Sequence, residues 1–123
     1  MAARSTIAKV ANKSSYKLFL VQSSLQLQHG IWDSYPPQKI AAEGTGPWET
    51  ESDGFMTGDE GQCAYQFIDE GGESISKITI TWDDPFVGSN QYSISSDSAS
   101  VKVSYSGGGG NNATVTYTIV NNG

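Results

Sequence analysis

The stretch Ile78-Thr-Ile-Thr-Trp-Asp-Asp-Pro-Phe-Val-Gly-Ser-Asn-Gln-Tyr92 decides how this chain folds. Ile78, Ile80 and Trp82 alternate with Thr79 and Thr81, the period-two pattern of a strand with one buried face. Pro85 lacks a backbone donor and ends regular pairing. Gly88 and Ser89 carry turn chemistry, after which Tyr92 and Ile94 resume the alternation. The pattern predicts two strands joined by a loop that brings Trp82, Asp83, Asp84 and Phe86 together. It fits equally a core strand followed by an ordinary polar turn, because aromatic residues are common in cores.

On the upstream side, Cys63, Tyr65 and Phe67 alternate with Ala64, Gln66 and Ile68. The glycine-bearing loop Asp69–Glu73 then predicts a hairpin with the strand Ile75–Trp82. Gly58-Asp-Glu-Gly61 reads as a tight acidic turn, and Gly44-Thr-Gly-Pro-Trp48 as a loop whose Trp need not be fully buried. Downstream, Val101, Val103 and Tyr105 share a face, as do Val115, Tyr117 and Ile119. Gly107–Gly110 with Asn111-Asn112 makes a long turn between them, and Asn121–Gly123 is expected to fray.

Toward the N-terminus, Ile7, Lys9 and Ala11 oppose Ala8 and Val10 in a first strand covered on both faces. A turn at Asn12–Ser15 leads into the apolar run Tyr16–Val21, which reads as a central strand. Leu25, Leu27, His29 and Ile31 fall on one face of the next strand, so the single histidine is expected on the apolar side in a structural role. Trp32 and Tyr35 precede Pro36-Pro37 and belong near a sheet end; Ile40–Ala42 is another short strand. Eight to ten short strands at this spacing predict an all-β fold: one domain, residues 1–123, a two-sheet antiparallel β-sandwich.

Composition agrees. The 123 residues include 14 glycines, and no segment shows a helical period. Cys63 is the only cysteine, so no internal disulfide holds the fold. The net charge of −6 argues against nucleic acid as a partner, since phosphate binding draws on Lys and Arg. Ten of the 13 acidic residues lie between Glu49 and Asp84, so a membrane partner should be neutral or zwitterionic. The opening residues Met1–Thr6 carry no apolar core of a signal peptide, and no 18-residue apolar run exists to cross a membrane as a helix. Asn12 and Asn112 begin glycosylation sequons, to which no significance attaches without export.

Reaction chemistry is nearly absent. One His and one Cys, each set among apolar neighbours, form no nucleophile–base pair, so the chain is not expected to be an enzyme. Zinc lacks ligands, and the acids Asp53, Asp59, Glu60, Asp83 and Asp84 lack the spacing of a calcium loop; no metal and no cofactor are expected.

Two motifs carry a resemblance. Glu51-Ser-Asp-Gly-Phe-Met-Thr-Gly-Asp-Glu-Gly61, followed by Trp82-Asp-Asp-Pro-Phe-Val-Gly-Ser-Asn-Gln-Tyr92 and Val115-Thr-Tyr-Thr-Ile119, resembles the aegerolysin family, closest to the small components of bacterial binary insecticidal proteins. In the fungal branch the second motif usually reads Trp-Asp-Cys-Pro-Trp-Gly-Ser; here Asp84 stands for the Cys, and Phe86 with Val87 for the second Trp. The resemblance implies a β-sandwich that binds membrane lipid, often sphingolipid, and acts as a cytolytic toxin component with a larger pore-forming partner protein. It implies accumulation in the cytoplasm or non-classical release, with action at the outer face of target membranes. Glu60 matches an acidic residue that fungal relatives use on a sphingolipid head group, Trp82 a Trp near the binding surface, and Trp32 a further family Trp. Phe86, Tyr35, Trp48 and Tyr92 complete the expected lipid-binding set, as aromatics able to sit at head-group level. The competing class is a soluble carbohydrate- or calcium-binding β-sandwich module, for which the same Trp and Tyr rings and loop acids would serve.

Overall fold

In the computed structural model, residues 2–69, 72 and 74–123 are described. Strands β1 (Ser5–Lys13), β4 (Ile31–Ser34), β6 (Thr45–Glu51), β10 (Val101–Gly107) and β11 (Asn112–Asn121) form one sheet in the order β10-β11-β1-β6-β4. Strands β2 (Leu18–Leu20), β5 (Lys39–Ile40), β7 (Asp59–Ile68), β8 (Ile75–Asp84) and β9 (Gln91–Ser96) form the other in the order β5-β2-β7-β8-β9, with β3 (Gln26–His29) also paired to β7. All pairs are antiparallel except β1 with β11, which run parallel from Ser5↔Asn112 to Lys13↔Val120. The chain is thus a single-domain two-sheet β-sandwich, as its alternation predicts. Eleven strands are present among the described residues, β6 and the division of Leu25–Ile31 into β3 and β4 being the unexpected ones.

The core lies between the sheets. Ala8, Val10, Trp48, Val115, Tyr117 and Ile119 come from one side, and Cys63, Tyr65, Phe67, Ile78, Ile80 and Trp82 from the other. Pro85 ends β8 where its missing donor requires. Among the described residues no helix is long and apolar enough to cross a membrane.

Several local expectations need correcting. Leu25–Ile31 is not one strand: Gly30 takes φ +100 and turns the chain from the second sheet into the first, so β3 pairs with β7 and β4 with β6. A Cβ at Gly30 would stand 2.5 Å from the Glu51 carbonyl oxygen, so only glycine makes this crossing. His29 consequently points outward, its side chain 67% exposed, rather than into the apolar interior. Tyr16–Val21 supplies only the three-residue β2, which is interior to its sheet as expected, between β7 and the two-residue β5. Thr45–Glu51 is a strand rather than a loop, and its Trp48 is 1% exposed.

Gly58–Gly61 is not a turn either, because β7 begins at Asp59. The glycines there permit close approach: a Cβ on Gly58 would collide with the Asp84 carbonyl, and one on Gly61 would lie 2.5 Å from the Trp82 ring. Finally, β11 runs through Asn121, whose Oδ1 accepts the Ser15 N–H at 3.0 Å, so that end is tied down. Of the predicted hairpin loop, Glu70, Gly71 and Glu73 lie outside the described residues, while its flanks pair as Ile68↔Ile75. Asn12 of the first sequon is buried, its amide donating to the carbonyls of Tyr16 (2.7 Å) and Ala41 (3.0 Å).

Candidate functional site

Outward-facing positions of three neighbouring strands meet at one end of the second sheet. Register pairs His29 of β3 with Glu60 of β7, and Glu60 with Asp83 of β8. The three ionisable side chains therefore form a row across the sheet, with His29 Nε2 3.7 Å from Glu60 Oε1. Partial burial raises the pKa of Asp83, while the neighbouring His29 lowers it. Beside the row, Met56, Pro85, Phe86 and Val87 help wall a pocket of about 490 Å³. Its lining combines the acids Asp59, Glu60 and Asp83 with these apolar groups.

That apolar wall continues past the pocket. Phe55 is 91% exposed, Val87 83% and Met56 57%. Phe55 and Met56 sit between β6 and β7, where Gly54 (φ +118) and Met56 (φ +56) both take left-handed backbone. Val87 sits between β8 and β9, and Met56 and Phe86 border the cavities on both sides of these tips. A non-glycine residue held at positive φ with its apolar side chain in solvent is strained twice over, a pattern that accompanies function more often than stability.

Arg4 latches the two loops together. Its amide N–H donates to Ser52 Oγ (3.1 Å), its Nε to the Pro85 carbonyl (3.3 Å) and its Nη2 to the Phe86 carbonyl (2.9 Å). Its guanidinium also lies 4.6 Å from the centroid of the Phe86 ring. Behind the loops, Asp59 and Asp84 are register partners on the inward face, each almost wholly buried. Burial pushes Asp59 up to about 6, against the opposing hydroxyls of Thr6 and Thr50; the Thr50 hydroxyl donates to Asp59 Oδ1 at 2.8 Å. Burial and then the Asp59 charge push Asp84 up to about 7, with Arg4 acting in the other direction.

The residues singled out from sequence are only partly brought together. Glu60 and Phe86 line the pocket. Trp82, expected beside them in the loop, is 1% exposed and donates its indole N–H to Thr50 Oγ1 at 3.0 Å; it is a core residue, because its alternation with Ile78 and Ile80 carries it inward to the end of β8. Asp84 follows it inward for the same reason. Trp48 packs against Trp82 at 5.5 Å and has no face for a ligand. Trp32 is half-buried against Trp82 at 5.9 Å and carries the exposed Tyr35 stacked on it at 5.2 Å, at the edge strand and outside the pocket lining. Tyr92 borders two grooves: one of about 300 Å³ that Glu60, Trp82 and Asp83 also line, and another bordered by Tyr105 and Gly108. Sequence reading misses His29, placed outward by a turn no periodicity reveals, and the role of Phe55 and Met56, an apolar pair stranded in the polar run Glu51–Gly58.

Among the described residues no three His, Cys, Asp or Glu side chains converge as metal ligands do. No family model and no curated protein matches the sequence. Solved structures are similar, two of them as follows. The lipid binding protein Nakanori superposes with a TM-score of 0.83 at 14% identity, covering 97% of this chain and 72% of that one. RahU protein, solved in complex with a TRIS molecule, superposes with a TM-score of 0.74 at 21% identity, covering 98% of this chain and 97% of that one. At these identities the likeness is one of architecture: this chain has the β-sandwich fold of Nakanori and RahU.

Proposed function

We propose that this protein is an aegerolysin that binds membrane lipid through the His29–Glu60–Asp83 row and the apolar tips beside it. The observation that carries this reading is the placement of three exposed apolar side chains, Phe55, Met56 and Val87, next to a pocket lined by carboxylates. The tips enter the interface between head groups and acyl chains, and the Glu60 and Asp83 carboxylates accept hydrogen bonds from a head-group ammonium. A cationic centre seated there also meets the Phe86 ring. The ligand class is a zwitterionic lipid, of sphingolipid type by the sequence resemblance, and the protein binds without catalysing. The same resemblance supports a toxin component acting at the outer face of target membranes with a larger pore-forming partner.

Sedimentation with phosphatidylcholine vesicles, with and without sphingomyelin, tests the reading. Binding should fall in Glu60→Gln while the melting temperature holds, because Glu60 is a half-exposed residue on the sheet surface. Unchanged binding of every vesicle by Glu60→Gln would remove the head-group role of the row.

A further inference from the structure

A second groove, of about 500 Å³, lies on the other flank of the β8–β9 loop. One wall is the hairpin between β10 and β11, and it is built rather than incidental. Gly108 is buried at φ +91, and a Cβ there would run into the Tyr92 ring, so only glycine lets the hairpin lie on that tyrosine. The Tyr92 hydroxyl donates to the Gly108 carbonyl at 2.8 Å. The Asn90 amide donates to the carbonyls of Gly108 and Gly110, each at 2.8 Å. Three side-chain bonds thus fix a run of glycines that would otherwise lack a defined shape.

Across this frame stands Tyr105, its ring 5.8 Å from Tyr92 and 48% exposed. Ser89 and Asn111 add a hydroxyl and an amide to the lining. In a protein of net charge −6, no carboxylate lines this groove. Its one charge, Arg4, already directs Nε, Nη1 and Nη2 at the carbonyls of Pro85, Ala3 and Phe86, which is a latch rather than an anion clamp. An ammonium therefore finds no counter-charge here, and a phosphate finds a guanidinium already committed. An exposed aromatic face bordered by neutral donors and acceptors suits a ring with an apolar C–H face and a rim of hydroxyls.

We propose that this groove binds a neutral pyranose sugar, with Tyr105 as the platform under the ring, Asn111 and Ser89 as partners for its hydroxyls, and Asn90 offering its Oδ1 as acceptor. The site contains no member of the carboxylate row, although Tyr92, Pro85 and Phe86 also line the pockets beside that row. The sugar belongs either to a glycolipid head group or to a soluble glycan, and both present the same chemistry.

Saturation-transfer NMR of the full chain with methyl glucopyranoside, methyl galactopyranoside and N-acetylglucosamine tests the proposal. Transfer to at least one sugar is expected, lost in Tyr105→Ala and retained in Glu60→Gln. Gly109→Glu guards against a folding artefact: a Cβ at Gly109 meets no atom within 4 Å, so the side chain obstructs the mouth of the groove without a clash, and at least a tenfold loss of affinity is expected. No transfer to any of the three sugars, or transfer that survives both variants, overturns the proposal. Phosphatidylcholine vesicles carrying glucosylceramide separate the sources. Greater sedimentation than with phosphatidylcholine alone, competed by free sugar, assigns a glycolipid, and free-sugar binding without that gain assigns a soluble glycan. Loss of phosphatidylcholine binding in Glu60→Gln with sugar transfer intact supports two separate sites, and loss of both together in that variant overturns their separation.

Discussion

Asp84 holds both carboxylate oxygens in the interior without a hydrogen-bond partner, directly opposite Asp59, whose Oδ2 is also unpaired. Two carboxylates in that position favour protons. With folded pKa values raised to about 6 and about 7, the native state keeps protons that an unfolded chain, at about 3.9 for Asp, has already released. Stability should therefore be greatest at mildly acidic pH, fall as pH rises from about 4 through about 7, and level off above, the reverse of a paired carboxylate. Asp83 and Glu51 add repulsion to Asp59, while Arg4 offsets part of it at Asp84. Thermal melts between pH 5 and pH 8 should show the decline. Asp84→Asn should flatten it and raise the melting temperature at pH 8, by about 3–6 °C per kcal/mol regained. A melting temperature rising toward pH 8 in the parent would contradict the burial of unpaired acids here. Trp82 gives the complementary residue-scale expectation. Trp82→Ala should cost about 3–5 kcal/mol in urea unfolding, as core truncation does. Trp82→Phe, which keeps most of the volume, should fold and bind vesicles like the parent, because the ring reaches no ligand.

At the scale of elements, the two loops that carry the apolar tips are each rooted in one of those acids: the first ends at Asp59, the second begins after Asp84. Phe55→Ser with Val87→Ser should leave stability within about 0.5 kcal/mol, since both side chains are in solvent. If the tips enter the bilayer interface, each forfeits about 1.5–3 kcal/mol of transfer free energy, about tenfold to hundredfold in vesicle affinity apiece and so at least about a hundredfold for the pair. Full retention of binding by the double variant would show that the tips stay in water. These elements also show what sequence reading can and cannot reach. Strands β7, β8 and β11 are legible over residues 63–68, 75–82 and 115–119, where the buried face shows as alternation, while the start of β7 at 59–61 reads as a turn. β3 and β4 read as one strand because Gly30 leaves the alternation of its neighbours intact while switching sheets. β6 reads as a loop because Gly46 and Pro47 look like turn chemistry, whereas Gly46 lies where a Cβ would press on Ile40 at 2.6 Å. The site is obscured in the same way. Glu60 stands out by its motif, but its neighbours His29 and Asp83 are set by inter-strand register, which periodicity within a strand does not encode.

The whole molecule places its acidic row and its apolar tips at one end of a rigid sandwich, with no compensating basic patch beside them. An overall charge of −6 makes anionic vesicles a poor target. Phosphatidylserine-rich vesicles should bind less than phosphatidylcholine ones, and added salt should weaken binding little. Events after binding are constrained by the strands themselves. A transmembrane β-strand needs about 9–11 residues with an apolar face turned to lipid. The ten-residue strands β7, β8 and β11 have such faces, but Tyr65, Phe67, Ile78, Ile80, Val115 and Tyr117 are spent on the core. Most of their outward positions are polar, as at Gln62, Gln66, Thr79, Thr81, Thr114 and Thr116, with Ile68 and Ile75 as exposed apolar exceptions at one end. Converting any of them to a lipid-facing strand would dismantle the sandwich. Vesicles coated with this protein alone should therefore retain an encapsulated dye at saturating coverage, with leakage starting only when a second, larger protein is added. Dye release by the isolated chain, with its circular dichroism still that of the free β-sandwich, would mean that bilayer disruption comes from the loop end itself, and the need for a partner would be gone.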